Sequence, residues 1–356
     1  MKSKLSDICF YAKGKVNVSG LTDADYISTE NMLPNKGGIT TASSLPSTIQ
    51  TQAYKKDDVL VSNIRPYFKK IWFADFDGGC SNDVLVFRAK EGIDARFLYY
   101  VLADDAFFDY STATSKGTKM PRGDKTAIMQ YEVPHFDLPI QKKIAGILAD
   151  IDDKIALNSN INKNLLEQAQ AIYTKMFITD ADSLWPEGKL SDLIEVCYGK
   201  DHKKLHDGDI PVYGSGGIMR HVDRALYEQE SVLVPRKGTL NNVMYVNEPF
   251  WSVDTMFFTK MKRQNVAKFV FHFLKGKDLA SMNAGSAVPS MTTKILNAIP
   301  LQIPDDQTLS TFEAQVSPFY QTASYNNKES ENLAAIRDSL LPKLMSGEID
   351  VSDIDL

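Results

Sequence analysis

The spacing of apolar residues alternates between two textures along this 356-residue chain. In residues 1–138, short β-branched or aromatic runs at Val59–Ser62, Ile71–Ala74 and Val84–Phe87 are bounded by Asp, Gly and Asn, which predicts strands. Phe97–Phe108 is apolar at three-to-four spacing, which predicts a helix. From Ile140 to Phe177 there is no proline and one glycine. Ile144, Ile147, Ile151, Ile155, Ile161, Leu165, Ile172 and Met176 form a stripe there, interleaved with Asn and Gln. That predicts a long amphipathic helix, opened by Pro139 at a permitted first-turn position and roughly 57 Å long at 1.5 Å per residue. Residues 189–303 return to the first texture, with a glycine-rich turn at Pro211–Gly217, strands near Val232 and Val243, and a helix from Ala267 to Met282. A second helical stripe follows from Asp306 to Met345, carried by Leu309, Phe312, Val316, Ala323, Leu333, Ile336, Leu340 and Leu344. Pro318 and Pro342 are expected to bend or interrupt it.

The halves also match residue by residue. Lys4-Leu5-Ser6-Asp7 recurs as Lys189-Leu190-Ser191-Asp192, and Asp58-Val59-Leu60-Val61 as Ser231-Val232-Leu233-Val234, with Arg65 and Arg236 shortly after. Cys80-Ser81-Asn82-Asp83 recurs as Trp251-Ser252-Val253-Asp254, Gly117 with Pro121 as Gly285 with Pro289, and Pro134 with Pro139 as Pro300 with Pro304. The offset drifts from 185 to 165 residues, as a duplication with small loop insertions and deletions would produce. A duplicated chain can fold about an internal two-fold axis, and its natural partner is then itself two-fold, such as a DNA duplex. The two helical stripes most simply bury each other as an antiparallel coiled coil. The alternative is that each packs on its own block. The expected class is α+β: two similar α/β domains separated by a long antiparallel two-helix coiled coil, with an internal pseudo-two-fold repeat. The boundaries are 1–138, 139–180, 186–303 and 304–347, with a tail at 348–356.

The net charge of -5 argues against a nucleic-acid binder until its distribution is read. Residues 1–138 hold 17 cations against 17 acids and residues 189–303 hold 15 against 11, while residues 304–356 hold 3 against 10. The acid sits in the helices and tail, so a globular block can still present one basic face. No apolar run is long enough to span a membrane, and no apolar signal stretch opens the chain. Cys9, Cys80 and Cys197, odd in number and far apart, argue against a disulfide framework and for a reducing cytoplasm.

Leu138-Pro139-Ile140-Gln141-Lys142-Lys143-Ile144 resembles the start of the conserved helix in specificity subunits of type I restriction-modification systems. Leu340-Leu341-Pro342-Lys343-Leu344-Met345-Ser346-Gly347-Glu348-Ile349 is similar to the closing signature of that family's second helix. Pro211–Gly217, Pro235–Thr239, Trp251–Asp254 and Gly117–Pro139 resemble its target-recognition domains. The second helix departs from the pattern at its start, where Pro304-Asp305-Asp306-Gln307 stands. The resemblance implies a non-catalytic reader of double-stranded DNA, each block reading one half of a bipartite asymmetric site. The helices would set the spacer and dock two methyltransferase subunits, and through these the restriction and translocase subunits. S-adenosylmethionine, ATP and magnesium would be bound by those partners and no cofactor by this chain. The rival reading is an autonomous DNA methyltransferase or nuclease with built-in specificity; a third is a structural adaptor without a DNA role.

Candidate DNA contacts follow from chemistry. The loop Ser115–Lys125 carries Lys116, Lys119, Arg122 and Lys125 beside Gly117 and Gly123; glycine lets backbone approach a phosphate that the cations neutralise. The run Ile64-Arg65-Pro66-Tyr67-Phe68-Lys69-Lys70 mixes cations with aromatics, which suits phosphate and base-edge contact; Arg65, Tyr67, Lys69 and Lys70 are its candidates, and Arg65 has the fork that matches guanine O6 and N7. In the second block the candidates are Ser215, Arg220, His221, Arg236, Lys237 and Asn241. Asn247-Glu248-Pro249-Phe250 superficially resembles an adenine-methyltransferase motif, but carries Glu at its second position and lacks an upstream glycine-rich cofactor loop, so it reads as a turn. His202 and His206 are four apart without an evident third ligand, and read as a surface pair.

Overall fold

The computed structural model describes residues 2–282 and 290–354. The repeated Gly285 and Pro289 lie outside the described residues. The chain divides into two compact units, one formed by Met1–Asn158 with Asn327–Leu356 and the other by Ser159–Asn326.

In the first unit, Lys2–Lys4 pairs antiparallel with Glu132–Pro134, and a single helical turn, Leu5–Ile8, follows. Asp7 makes that turn by accepting the Lys4 backbone N–H at 2.8 Å. A four-stranded antiparallel sheet has the order Cys9–Tyr11, Val84–Ala89, Val59–Ser62, Ile71–Phe73. Val59–Ser62 is buried along its whole length, as its unbroken apolar run requires. A second sheet has the order Lys15–Asn17, Gln50–Tyr54, Gly78–Cys80, Tyr26–Ile27. The expected helix Phe97–Phe108 is two helices, Ala95–Ala103 and Asp105–Ala113. Asp104 ends the first and caps the second by accepting the Ala106 N–H, a local bond that outcompetes the apolar periodicity.

The second unit repeats this plan. Glu187–Lys189 pairs with Pro300–Gln302, and Asp192 caps the turn Leu190–Leu193 by accepting the Lys189 N–H at 2.7 Å. The main sheet has the matching order Ile194–Tyr198, Met256–Met261, Ser231–Pro235, Met244–Val246. Gly217–Val222, Ile210–Gly214 and Trp251–Ser252 form the smaller sheet. The helix expected to reach Met282 ends at Lys275, before Gly276.

The long helices are Leu138–Thr174, continued by a π-turn over Lys175–Thr179, and Asp306–Ser346. Each runs from one unit into the other. Within each unit they do both things the sequence allowed: they pack on the domain and on each other. Ile144, Leu148, Leu341 and Leu344 join the first unit's core with Val61, Phe87, Phe97 and Leu98. In that same unit Asp152 pairs with Arg337 at 2.6 Å, and Asn158 donates to Glu329 at 2.7 Å. In the second unit Ala169, Tyr173, Phe312 and Val316 join Phe269 and Val270, while the Asn326 amide donates to Asn162 Oδ1 at 2.8 Å. Rising numbers on one helix meet falling numbers on the other, so the pairing is antiparallel, with buried amides fixing its register. Pro318 and Pro342 do not interrupt the second helix. The buried flanks Phe312, Val316, Leu341 and Leu344 hold it through both, against a cost of about 3 kcal/mol for an interior proline.

Three signature residues have local explanations. Gln141, almost fully buried, donates to the Phe136 carbonyl and accepts the Asp94 N–H, tying the first long helix to the domain helix it touches. Gly347 stands at φ 75°, and the Gly347 and Glu348 N–H groups return to the carbonyls of Leu344 and Lys343, the glycine-dependent helix stop. At the atypical start of the second helix, Asp305 accepts from the Thr308 N–H and from the Trp185 indole, bonds that hold its carboxyl down at about 2. Among the described residues no helix is long and apolar enough to cross a membrane.

A polar cluster joins domain helix to long helices in the second unit. The fully buried His272 imidazole has Nδ1 2.8 Å from Gln170 Oε1 and Nε2 2.8 Å from the Tyr320 hydroxyl. Beside it Lys268 pairs with Glu230 at 3.0 Å and Glu313 at 2.6 Å. Burial pushes the imidazole down to about 4, against about 6.5 in the unfolded chain. A proton therefore binds the unfolded state first, and the stability held by neutral His272 is lost as pH falls from about 6.5 towards 4. Chemical denaturation across that window is expected to lose up to about 3 kcal/mol, and His272→Gln to flatten the slope. An unchanged slope in the variant would remove His272 from this role.

Candidate nucleic-acid interface

In the first unit the chain leaving the central strand, residues 62–70, is clamped from two sides. The Arg65 N–H donates to the Pro121 carbonyl at 2.8 Å, and Gly123 N–H to the Asn63 carbonyl. Lys116 and Arg122 exchange backbone bonds of 2.8 and 2.9 Å, which closes the loop between them into a hairpin. On the opposite flank the Asn35 and Lys36 N–H groups donate to the carbonyls of Phe68 and Lys69. Arg65, Tyr67, Lys69, Lys70, Lys116 and Arg122 are thus brought to one framework, and Lys119 lies on the exposed turn of the hairpin. A Cβ at Gly123 would stand 2.9 Å from Asn63 Oδ1 and 2.8 Å from the Ile128 side chain, so only glycine lets the loop close this tightly.

The cations are positioned by acids. Lys116 pairs with Asp124, Arg122 with Asp83 at 3.0 Å, and Lys36 and Lys69 with the two oxygens of Asp105 at 2.8 Å each. The hydrogen bond from Lys116, with two backbone N–H groups behind it, holds the Asp124 carboxyl at about 2. Desolvation opposes ionisation of Asp105, but the bonds from Lys36 and Lys69 hold it below its ordinary value. Arg65 differs: its Nε is buried and has no hydrogen-bond partner among the described residues. Lys125 lines a groove of about 480 Å³ with Lys13, Lys15, Gln50, Gln52 and Asn82.

In the second unit, Arg236 follows the equivalent strand. Its guanidinium lies 5.4 Å from the Tyr198 ring centroid and donates to the Asp254 carbonyl at 3.2 Å. Lys237 bridges Ser290, and Met291 N–H donates to the Arg236 carbonyl, so this arginine segment is also tied to chain that leads towards the second long helix. Ser215 sits in the glycine turn, where its carbonyl accepts from the Asn242 amide. Exposed Ile218 and Met219, Arg220 and His221 follow on the next strand. Arg220 is engaged by Asp207 at 2.8 Å and by the Leu205 carbonyl. The Asn241 amide is consumed internally: it donates to Asp278 and accepts the Ala280 N–H, bracing its loop. Phe250 of the methyltransferase-like tetrapeptide is fully buried, its ring 6.0 Å from Tyr227, so it is core. Among the described residues no group of three or more His, Cys, Asp or Glu gathers as a metal set.

Sequence reasoning missed Lys36, Lys13, Lys15 and Tyr198. The turn signal Asn35-Lys36-Gly37-Gly38 marked the first; nothing local marked Tyr198 as the platform for Arg236.

The fold defines a class: a duplicated chain with two α/β domains, each sharing its core with parts of the same two long helices. The family model for the type I restriction modification DNA specificity domain matches residues 1–167 and 182–333, and the chain belongs to that family. It is a specificity subunit of a type I restriction-modification system. It is 23% identical to the HindI specificity subunit of Haemophilus influenzae, over 97% of this chain and 98% of that one. To the MjaIX specificity subunit of Methanocaldococcus jannaschii it is 22% identical, over 74% of this chain and 71% of that one. The crystal structure of the type I S subunit from M. genitalium superposes with a TM-score of 0.61, at 19% identity, covering 97% of this chain and 96% of that one.

Proposed function

We propose that this chain is a non-catalytic DNA reader, with one target-recognition domain per half-site, in a complex whose methyltransferase subunits dock on its long helices. The observation that carries this is the doubled arginine segment. In each unit an arginine leaves the central strand and is braced by backbone bonds to the chain that leads into a long helix. The surrounding loops differ, so the two halves of the site should differ. S-adenosylmethionine, ATP and magnesium belong to the partners in this reading, and the cytoplasm is its setting.

The test is binding by the assembled complex to the methylated motif of the host and to random DNA. Arg65→Ala and Arg236→Ala should each weaken binding to the motif by about 1–3 kcal/mol and leave random DNA nearly unaffected, as base contacts would. Lys119→Ala should weaken both alike and lower the salt slope by about one. Equal losses on both DNAs for the arginines would make them phosphate contacts. Methylation or cleavage by the chain alone would instead favour the autonomous enzyme.

A further inference from the structure

Tyr67 and Phe68 are 48% and 39% exposed, with ring centroids 4.8 Å apart. Two adjacent exposed rings would be unremarkable on a loose loop, but this segment is fixed. Arg65 and Lys69, the residues on either side of the turn Pro66–Phe68, both stand in the left-handed region, at φ 51° and 50°. Side chains other than glycine rarely adopt that backbone, and it persists only where surroundings impose it. Here they do: Pro121 holds Arg65, the Asn35 and Lys36 N–H groups hold the carbonyls of Phe68 and Lys69, and Lys70 Nζ donates to the Thr29 carbonyl at 2.7 Å. Asn35 and Lys36 are themselves left-handed, at φ 55° and 61°. Four strained residues thus hold two rings outward, in a segment that carries Arg65, Lys69 and Lys70. A rigid apolar projection within a cationic segment matches a duplex, whose phosphates meet the cations while the rings enter the base stack.

We propose that Tyr67 and Phe68 form a wedge that inserts at a base step of the half-site read by the first unit, unstacking it and bending the DNA there. This rests on the DNA-reading function proposed above and adds how one half-site is engaged. Among the described residues the second unit has no pair of rings at the equivalent place: after its central strand come Arg236 and Lys237, with Tyr198 lying against the arginine, and its exposed apolar pair, Ile218 and Met219, lies on a strand of the smaller sheet. The bend made by Tyr67 and Phe68 should therefore fall in the half-site read by the first unit.

The experiment uses the full chain in its complex and a duplex carrying the host's methylated motif, labelled at both ends for energy transfer. In parallel duplexes 2-aminopurine is placed in one half-site or the other. Wild type should shorten the end-to-end distance, with a bend of about 20–90°, and raise aminopurine fluorescence in the half-site read by the first unit. Tyr67→Ala with Phe68→Ala should remove the aminopurine signal in that half-site, reduce the bend and weaken motif binding about ten- to a hundredfold, the loss of base–aromatic stacking. Tyr67→Leu with Phe68→Leu should keep most of the bend, since an aliphatic wedge also separates bases. Tight, motif-specific binding to straight DNA would overturn the wedge and leave the reading function standing. So would an aminopurine signal in that half-site and a bend that both survive the double alanine change in the assembled complex. Absence of motif-specific binding by wild type would overturn both.

Discussion

Exchanging residues 1–138 for the equivalent block of a related specificity subunit is expected to change one half of the host's methylated motif and to leave the other half unaltered. The expectation follows from where each arginine framework is built. Arg65, the hairpin Lys116–Arg122 and the Asn35–Lys36 turn are assembled wholly within the first block. Arg236 is held by Thr255 and Met291, wholly within the second. The measurement is methylome sequencing of a strain carrying the chimera. A change in both halves would end the assignment of one domain to one half-site. The chimera has a structural condition that the sequence boundary hides. The first unit's core includes Ile144, Leu148, Leu341 and Leu344 from the long helices, so a donor block that packs poorly there would lose about 1–3 kcal/mol to overpacking or shape mismatch. That loss would appear in thermal stability, while the motif reports the reading surface, so the two effects separate.

The reading frame of the fold was legible because its strongest signals are local and doubled. Lys4–Asp7 and Lys189–Asp192 look alike because each is a capped turn entered from a two-stranded ribbon, a device that four residues encode. The long helices were legible from sustained periodicity. What was not legible depends on distant chain. Asp104 breaks a helix that apolar spacing alone would continue. Pro318 and Pro342 read as breakers because their cost is local, whereas the packing that overrides it comes from the domains and the neighbouring helix. The site divides the same way. Basic loops could be named from composition, but not that the left-handed Arg65 donates its N–H to the Pro121 carbonyl, some 56 positions away. Nor could sequence tell that the Asn241 amide is spent on Asp278 and Ala280. Side chains such as Tyr198, placed beneath Arg236 from another strand, carry no sequence signal for that role.

The spacing of the two half-sites should follow the length of the helices. Inserting four residues after Asn158 alone would slip Asn162 from Asn326 and shift every partner beyond it. Buried amides left without partners cost about 1–3 kcal/mol each, so that variant should be less stable without a clean change in spacing. Matched four-residue insertions, one after Asn158 and one before Asn327, fall where the two compact units divide. They leave the pairs Asp152–Arg337 and Asn158–Glu329 in register on one side, and Asn162–Asn326 on the other. Each insertion adds about one turn, or roughly 6 Å. With a rise of about 3.4 Å per base pair, the preferred gap should grow by about one or two base pairs. Four residues overshoot a turn of 3.6, so the far domain also rotates by about 40°, and some affinity should be lost with the bases unchanged. The motif methylated in a strain carrying the paired insertion is the readout. An active complex with its gap unaltered would show that the helices serve only to dock partners. A longer gap flanked by the same two half-sites would show that the buried asparagine layers hold a ruler in register, and that its length is read out on DNA.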